Sequence, residues 1–189
     1  MKWLAFVFPL IVSCSPPPVT IFQRYATIEV SNSSSSGSAV SLGKGYFFTA
    51  RHVITSDSFT VFNARGKDKK PLRIFEFDDV VFFKADIDTN FPEVQIAEPK
   101  IGEGVYIIQP IFSDSGVNIF LFQGNIAHVS DFHGTIDRPI FSGISGSGVF
   151  NKKGELIGVA SQLYGIQGQV AFGIFVKVIV FEPMLRKAR

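Results

Sequence analysis

The sequence predicts an all-β protein, a barrel or a sandwich. Apolar residues come in short runs that no helical period organises, and turn clusters interrupt them at close spacing. The 189 residues also include 21 Phe, a ring that favours strands. At 46% apolar and 18% charged, the chain has material for a sizeable core and is not disordered. Its length suits one domain. A net charge of +2 produces no strong field and argues against a dedicated nucleic-acid binder. A single Cys excludes an intrachain disulfide, and with it a small disulfide-stapled scaffold.

Residues 1–13, MKWLAFVFPLIVS, place one Lys ahead of an apolar run at 3–12. That run is too short for a hydrocarbon core of about 30 Å, which takes about 20 helical residues, and it reads as the core of a secretory signal peptide. The sole Cys closes it, in Ile11-Val12-Ser13-Cys14, and resembles the lipobox of bacterial lipoproteins. That resemblance implies lipidation at Cys14, and a tether to the membrane of a cell envelope, facing periplasm or exterior. An ordinary signal peptide that happens to contain a Cys is the alternative. Residues 14–24 then form a spacer that is stiff through Pro16-Pro17-Pro18.

Strands are expected at 25–30, 39–48, 59–62, 72–77, 80–83, 94–97, 105–108, 117–129, 148–150, 156–161 and 169–178. The polar run 31–38, SNSSSSGS, reads as a solvated hairpin connection, and Lys67-Asp68-Lys69-Lys70 as a solvated loop tip. Only two helical pieces are expected, a turn at 50–54 and a tail at 182–187 with Pro183 in its first turn.

Three segments carry chemistry. Gly143-Ile144-Ser145-Gly146-Ser147-Gly148 places a serine between glycines, which let the backbone turn sharply and bring N–H groups to one spot. Such donors suit a developing oxyanion. Thr49-Ala50-Arg51-His52-Val53 puts a His at the end of an apolar strand, and serine needs a base of this kind to react. Ala85-Asp86-Ile87-Asp88 follows another strand and offers an acid to orient the imidazole. His128 and His133 have no Cys or third His near them, so no metal site is expected.

The order His, Asp, Ser along an all-β chain resembles the trypsin-like, chymotrypsin-fold serine proteases, in particular single-domain bacterial envelope proteases of the heat-shock type. Thr49–Val53 resembles the family's T-A-x-H-V segment, Asp86-Ile87 its D-[IL]-A stretch with Asp88 in place of Ala, and residues 143–147 its G-x-S-G-[GS]-P segment with Gly148 in place of Pro. The resemblance spans about residues 25–180. It implies two packed six-stranded β-barrels in a domain at 25–182, the first over about 25–98 and the second over about 105–180, with a basic tail at 183–189. It implies a serine endopeptidase with Ser145 as nucleophile, His52 as base and Asp86 as orienting acid. Gly143 and Ser145 would supply the oxyanion N–H groups. Asp88 remains the alternative acid; Asp78 and Asp79, ahead of their strand, rank lower. Ser147 is the alternative nucleophile. Pro139, Ile140, Ser161, Gln162 and Leu163, with 169–172, would wall the substrate pocket. No acidic residue lies there, which predicts a small or apolar residue before the scissile bond. The implied partner is a peptide or protein substrate, and no cofactor or metal is needed. A catalytically silent peptide-binding protein on the same fold is the alternative function.

Overall fold

The computed structural model describes residues 25–30, 36–56, 58–63, 66–68, 70–87, 93–113, 116–139, 141, 143–166 and 169–188. The signal and lipobox readings, Cys14, Asp88 and Ile140 lie outside them. The strands are β1 (Tyr25–Val30), β2 (Ser36–Gly43), β3 (Tyr46–Ala50), β4 (Phe59–Asn63), β5 (Gly66–Asp68), β6 (Leu72–Phe77) and β7 (Val80–Lys84) in the first half. In the second half they are β8 (Gly104–Ser113), β9 (Gly116–Val129), β10 (His133–Ile136), β11 (Gly148–Asn151), β12 (Leu156–Ile166) and β13 (Gln169–Lys177). One helix, α1 (Glu182–Ala188), ends the chain.

The second half closes into a six-stranded barrel in the order β10-β13-β12-β11-β8-β9. The first half is a seven-stranded antiparallel sheet in the order β5-β4-β1-β2-β3-β7-β6. It differs from the expected six-stranded barrel by one strand, and among the described residues its edges β5 and β6 are not joined by a ladder. The sheet nevertheless curls: the Phe59 ring of β4 meets the Phe83 ring of β7 edge-on at 5.5 Å, although three strands separate them.

Alternation explains why the inner strands read as unbroken apolar runs. Val81 and Phe83 of β7 join Ala39 of β2 and Phe47 of β3 inside the curled sheet. Their neighbours Val80 and Phe82 point the other way, with Val40, Leu42 and Phe48, into a core shared with the second half. There they meet Tyr106, Ile108, Phe150, Val159, Val176 and Phe181. A third cluster, including Val105, Ile107, Val149, Ile157 and Phe175, fills the closed barrel. A strand covered on both faces has no polar side, so its sequence loses the period of two. Burying each such Phe contributes about 1.5–3 kcal/mol.

Four elements differ from expectation. Residues 39–48 are two strands, because Gly43, Lys44 and Gly45 all take positive φ and reverse the chain. The 63–70 segment includes β5, whose Asp68 accepts the Asp86 N–H at 2.7 Å, so it is not merely a solvated tip. Residues 94–97 make only one parallel bridge, Ile96 to Leu156. The helical tail expected at 182–187 forms as α1, and its Leu185 is buried in the shared core. β10 was not expected; its four residues, with two glycine- or histidine-bearing positions, carry too little apolar signal.

Candidate active site

The site forms where the shared core reaches the surface, and strand register selects its members. β3 and β7 pair antiparallel with Ala50 opposite Val80. The next residue outward from Ala50 is therefore aligned with the one before Val80, and the Arg51 N–H donates to the Asp79 carbonyl at 2.9 Å. His52 follows on a 3-10 turn, Arg51–Val53. Its backbone N–H donates to Asp79 Oδ1 at 3.0 Å, and its Nδ1 lies 2.8 Å from Asp79 Oδ2. The buried Ser161 hydroxyl also donates to Oδ2.

The acid that the structure brings to His52 is Asp79, where Asp86 was expected. Asp86 lies beyond the opposite end of β7, and its N–H is capped by Asp68. It lies seven positions along the chain from Asp79, a span of about 23 Å at about 3.3 Å per residue. In the sequence Asp79 is marked only by opening the apolar run Val80-Val81-Phe82-Phe83, which does not say which end of that strand meets His52.

Electrostatics follow from these contacts. The hydrogen bond to Asp79 raises the His52 pKa above its usual 6.5; partial burial opposes this, and the carboxylate charge adds to it. Burial pushes Asp79 up, but the bonds from the His52 ring, Ser161 and the His52 N–H outweigh it and hold the carboxyl below its usual value. An ionised Asp79 only accepts, so Nδ1 carries the proton and Nε2 is left as the basic nitrogen.

Ser145 sits on the loop that crosses from β10 to β11. The loop is stitched to β12 by Gly146 N–H to Ala160 O and Ala160 N–H to Ser147 O, both 2.8 Å. On its other side Ser38 N–H donates to Ser145 O at 2.9 Å. The Ser145 hydroxyl donates to the Ser161 carbonyl at 3.2 Å. Ser161 thus bridges Ser145 to the His52–Asp79 pair, a connection that sequence reasoning, which placed it in a pocket wall, did not anticipate. Among the described residues the N–H groups of Gly143 and Ser145 have no protein acceptor. The hydroxyl of Ser147, two residues on, is buried and faces none of these groups.

Pro139 lines a cavity of about 260 Å³ between β9 and the segment leading to the loop, with Phe122, Gly124, Ile136 and Phe141. Gln162 and Leu163 lie on β12, opposite Ile174 and Gly173 of β13. His133 pairs with Asp78, its Nε2 2.6 Å from Oδ2. No group of three or more His, Cys, Asp or Glu side chains among the described residues could hold a metal ion.

The model of the trypsin-like peptidase domain matches residues 36–159. The chain belongs to the trypsin-like peptidase family. Solved structures of bacterial proteases share its fold. The serine endoprotease from Yersinia pestis superposes with a TM-score of 0.71 at 23% identity, over 88% of this chain and 62% of its own. The MamO protease domain from Magnetospirillum magneticum gives 0.72 at 15% identity, over 88% and 97%. The active form of the Rv3671c protease from M. tuberculosis gives 0.70 at 16%, over 99% and 94%. The present chain thus spans under two thirds of the Yersinia protein. No curated protein sequence matches it. The mostly β, chymotrypsin-like fold is the one the sequence predicts, with a closed six-stranded barrel and a short C-terminal helix.

Proposed function

We propose that this peptidase-family protein is a serine endopeptidase in which Ser145 is the nucleophile, His52 the general base and Asp79 the orienting acid. The observation that carries the reading is the hydrogen-bonded run from His52 through Asp79 and Ser161 to Ser145. The Ser145 hydroxyl turns from the Ser161 carbonyl to His52 Nε2 and attacks a peptide carbonyl as Nε2 takes its proton. The N–H groups of Gly143 and Ser145 hold the oxyanion, each donor contributing about 10²–10³ in rate. His52 passes the proton to the leaving amine, and water releases the acyl-enzyme with His52 again as base. The substrate is a peptide or protein with a small or apolar residue before the scissile bond. The reading places the domain in a bacterial cell envelope, tethered through a lipid on Cys14.

One observation favours a second reading, a catalytically silent peptide binder. The Ser145 hydroxyl donates to Ser161 rather than to His52. Labelling with a fluorophosphonate separates the two. Labelling that disappears in Ser145→Ala and in His52→Ala supports the peptidase; a folded chain that never labels supports the binder. Incorporation of palmitate that is lost in Cys14→Ser checks the tether.

A further inference from the structure

Ser38, the last residue of the polar run 31–38, is not solvated. It is buried in β2 and faces the loop that carries Ser145. Its hydroxyl donates to the Gly143 carbonyl at 2.9 Å and its N–H to the Ser145 carbonyl at 2.9 Å. Its own carbonyl accepts the Thr49 hydroxyl at 2.7 Å, from the strand that leads to His52. We propose that Ser38 is a positioning residue that aims the oxyanion-binding N–H groups of the 143–146 loop. The proposal rests on the peptidase reading above.

The geometry of the peptide unit supplies the reason. Each unit is planar and trans, so its C=O and the next N–H point in opposite directions. The Gly143–Ile144 unit is held by Ser38 at its carbonyl and by Phe141, which accepts the Ile144 N–H at 3.2 Å. In the next unit the Ile144 carbonyl accepts the Ser147 N–H at 2.8 Å, which directs the Ser145 N–H the other way. The Ser145–Gly146 unit is held at its carbonyl by Ser38 and at its N–H by Ala160. Three consecutive units are fixed, two of them through Ser38. Gly143 sits at φ +90° and is the loop residue freest to rotate, because glycine accepts either sign of φ. The Ser38 hydroxyl is the shorter of the two bonds restraining the unit that follows it. Removing it frees the 143–144 unit to turn about Gly143, which loosens the loop that lines up the two oxyanion-binding N–H groups. The same contact explains the glycine after the nucleophile: a Cβ at Gly146 would collide with the Ser38 carbonyl oxygen and stand 2.5 Å from Thr49 Oγ1.

The test uses the full chain with p-nitrophenyl acetate as the turnover substrate and a fluorophosphonate to count reactive sites. Loss of a whole oxyanion donor costs about 10²–10³ in rate, so mis-aiming one predicts that Ser38→Ala lowers kcat per labelled site about 10–100-fold. The labelling rate should fall in parallel, KM should stay within about twofold of the wild type, and Ser38→Thr, which keeps the donor, should recover most of the loss. A Ser38→Ala rate per site equal to the wild type overturns the proposal. So does a loss of activity that only tracks a loss of folded protein in a urea melt. A wild-type chain that neither labels nor turns over overturns the peptidase reading itself and this proposal with it, whereas an active wild type with an unaffected variant overturns the proposal alone.

Discussion

Asp79→Asn is the sharpest perturbation of the site. Two donors, His52 Nδ1 and the Ser161 hydroxyl, converge on Oδ2, and the His52 backbone N–H points at Oδ1. An asparagine cannot accept all three. If its oxygen takes the Oδ2 position, its NH₂ faces the His52 N–H, donor against donor. If its NH₂ takes that position, Nδ1 must become the acceptor, the proton moves to Nε2, and His52 can no longer accept from Ser145. The first orientation loses the backbone bond and the negative charge that stabilises the imidazolium, and the second also takes away the basic nitrogen; both leave the ring in place. In the serine-protease triad the same change costs about 10⁴ in kcat, or about 5.4 kcal/mol at 1.36 kcal/mol per decade. We expect Asp79→Asn to lose about 10³–10⁴ in hydrolysis per folded molecule, and Asp86→Asn to stay within about twofold. The assay is ester or peptide hydrolysis against pH, with urea melts as the folding control. Because Asp79 raises the His52 pKa, the wild-type rate should climb with pH through a value above 6.5, and the residual activity of the variant should climb at lower pH. An Asp79→Asn enzyme within tenfold of the wild type, or an inactive Asp86→Asn, would refute the assignment.

The same pair links stability to pH. The raised His52 pKa adds stability that is fully present below about 6.5 and is lost as pH rises through the folded value, whereas the lowered Asp79 pKa adds stability that is lost as pH falls through its own folded value. The gap in urea midpoint between wild type and Asp79→Asn should therefore be wider at pH 5 than at pH 9. Gly146→Ala, at φ +90° against the backbone of Ser38, should cost well over about 3 kcal/mol or prevent folding. Gly102→Ala, at φ +80° in open space, should cost only the backbone strain of about 1–2 kcal/mol, and chemical denaturation measures both. Phe83→Ala removes a fully buried ring stacked on Phe47 and edge-on to Phe59, and should cost about 3–5 kcal/mol by the same measurement.

Local physics made much of this protein legible in one dimension. Short apolar runs with turn residues between them determined strands, because the backbone needs no distant partner to express its preference. A serine between glycines, and a His at the end of Tyr46-Phe47-Phe48, announced themselves because each needs a particular local conformation. The acid did not. Asp79 and Asp86 each flank β7, one at either end, and only the register of β3 against β7 decides which of them meets His52. Register is a property of two strands and of the core beneath them, here Phe47 on Phe83 and Phe48 on Phe82. Ser38 and Ser161 were hidden for the same reason. A buried hydroxyl and a solvated one are the same letter, and what separates them is whether chain more than 100 residues away, for Ser38, and 82 residues away, for Ser161, folds back to accept the bond. The sequence by itself determined the strands, the serine held between glycines and the histidine at the end of its strand. The tertiary structure decided which acid meets His52, and it decided which serines hold the loop, because those contacts depend on long-range pairing that no local pattern encodes.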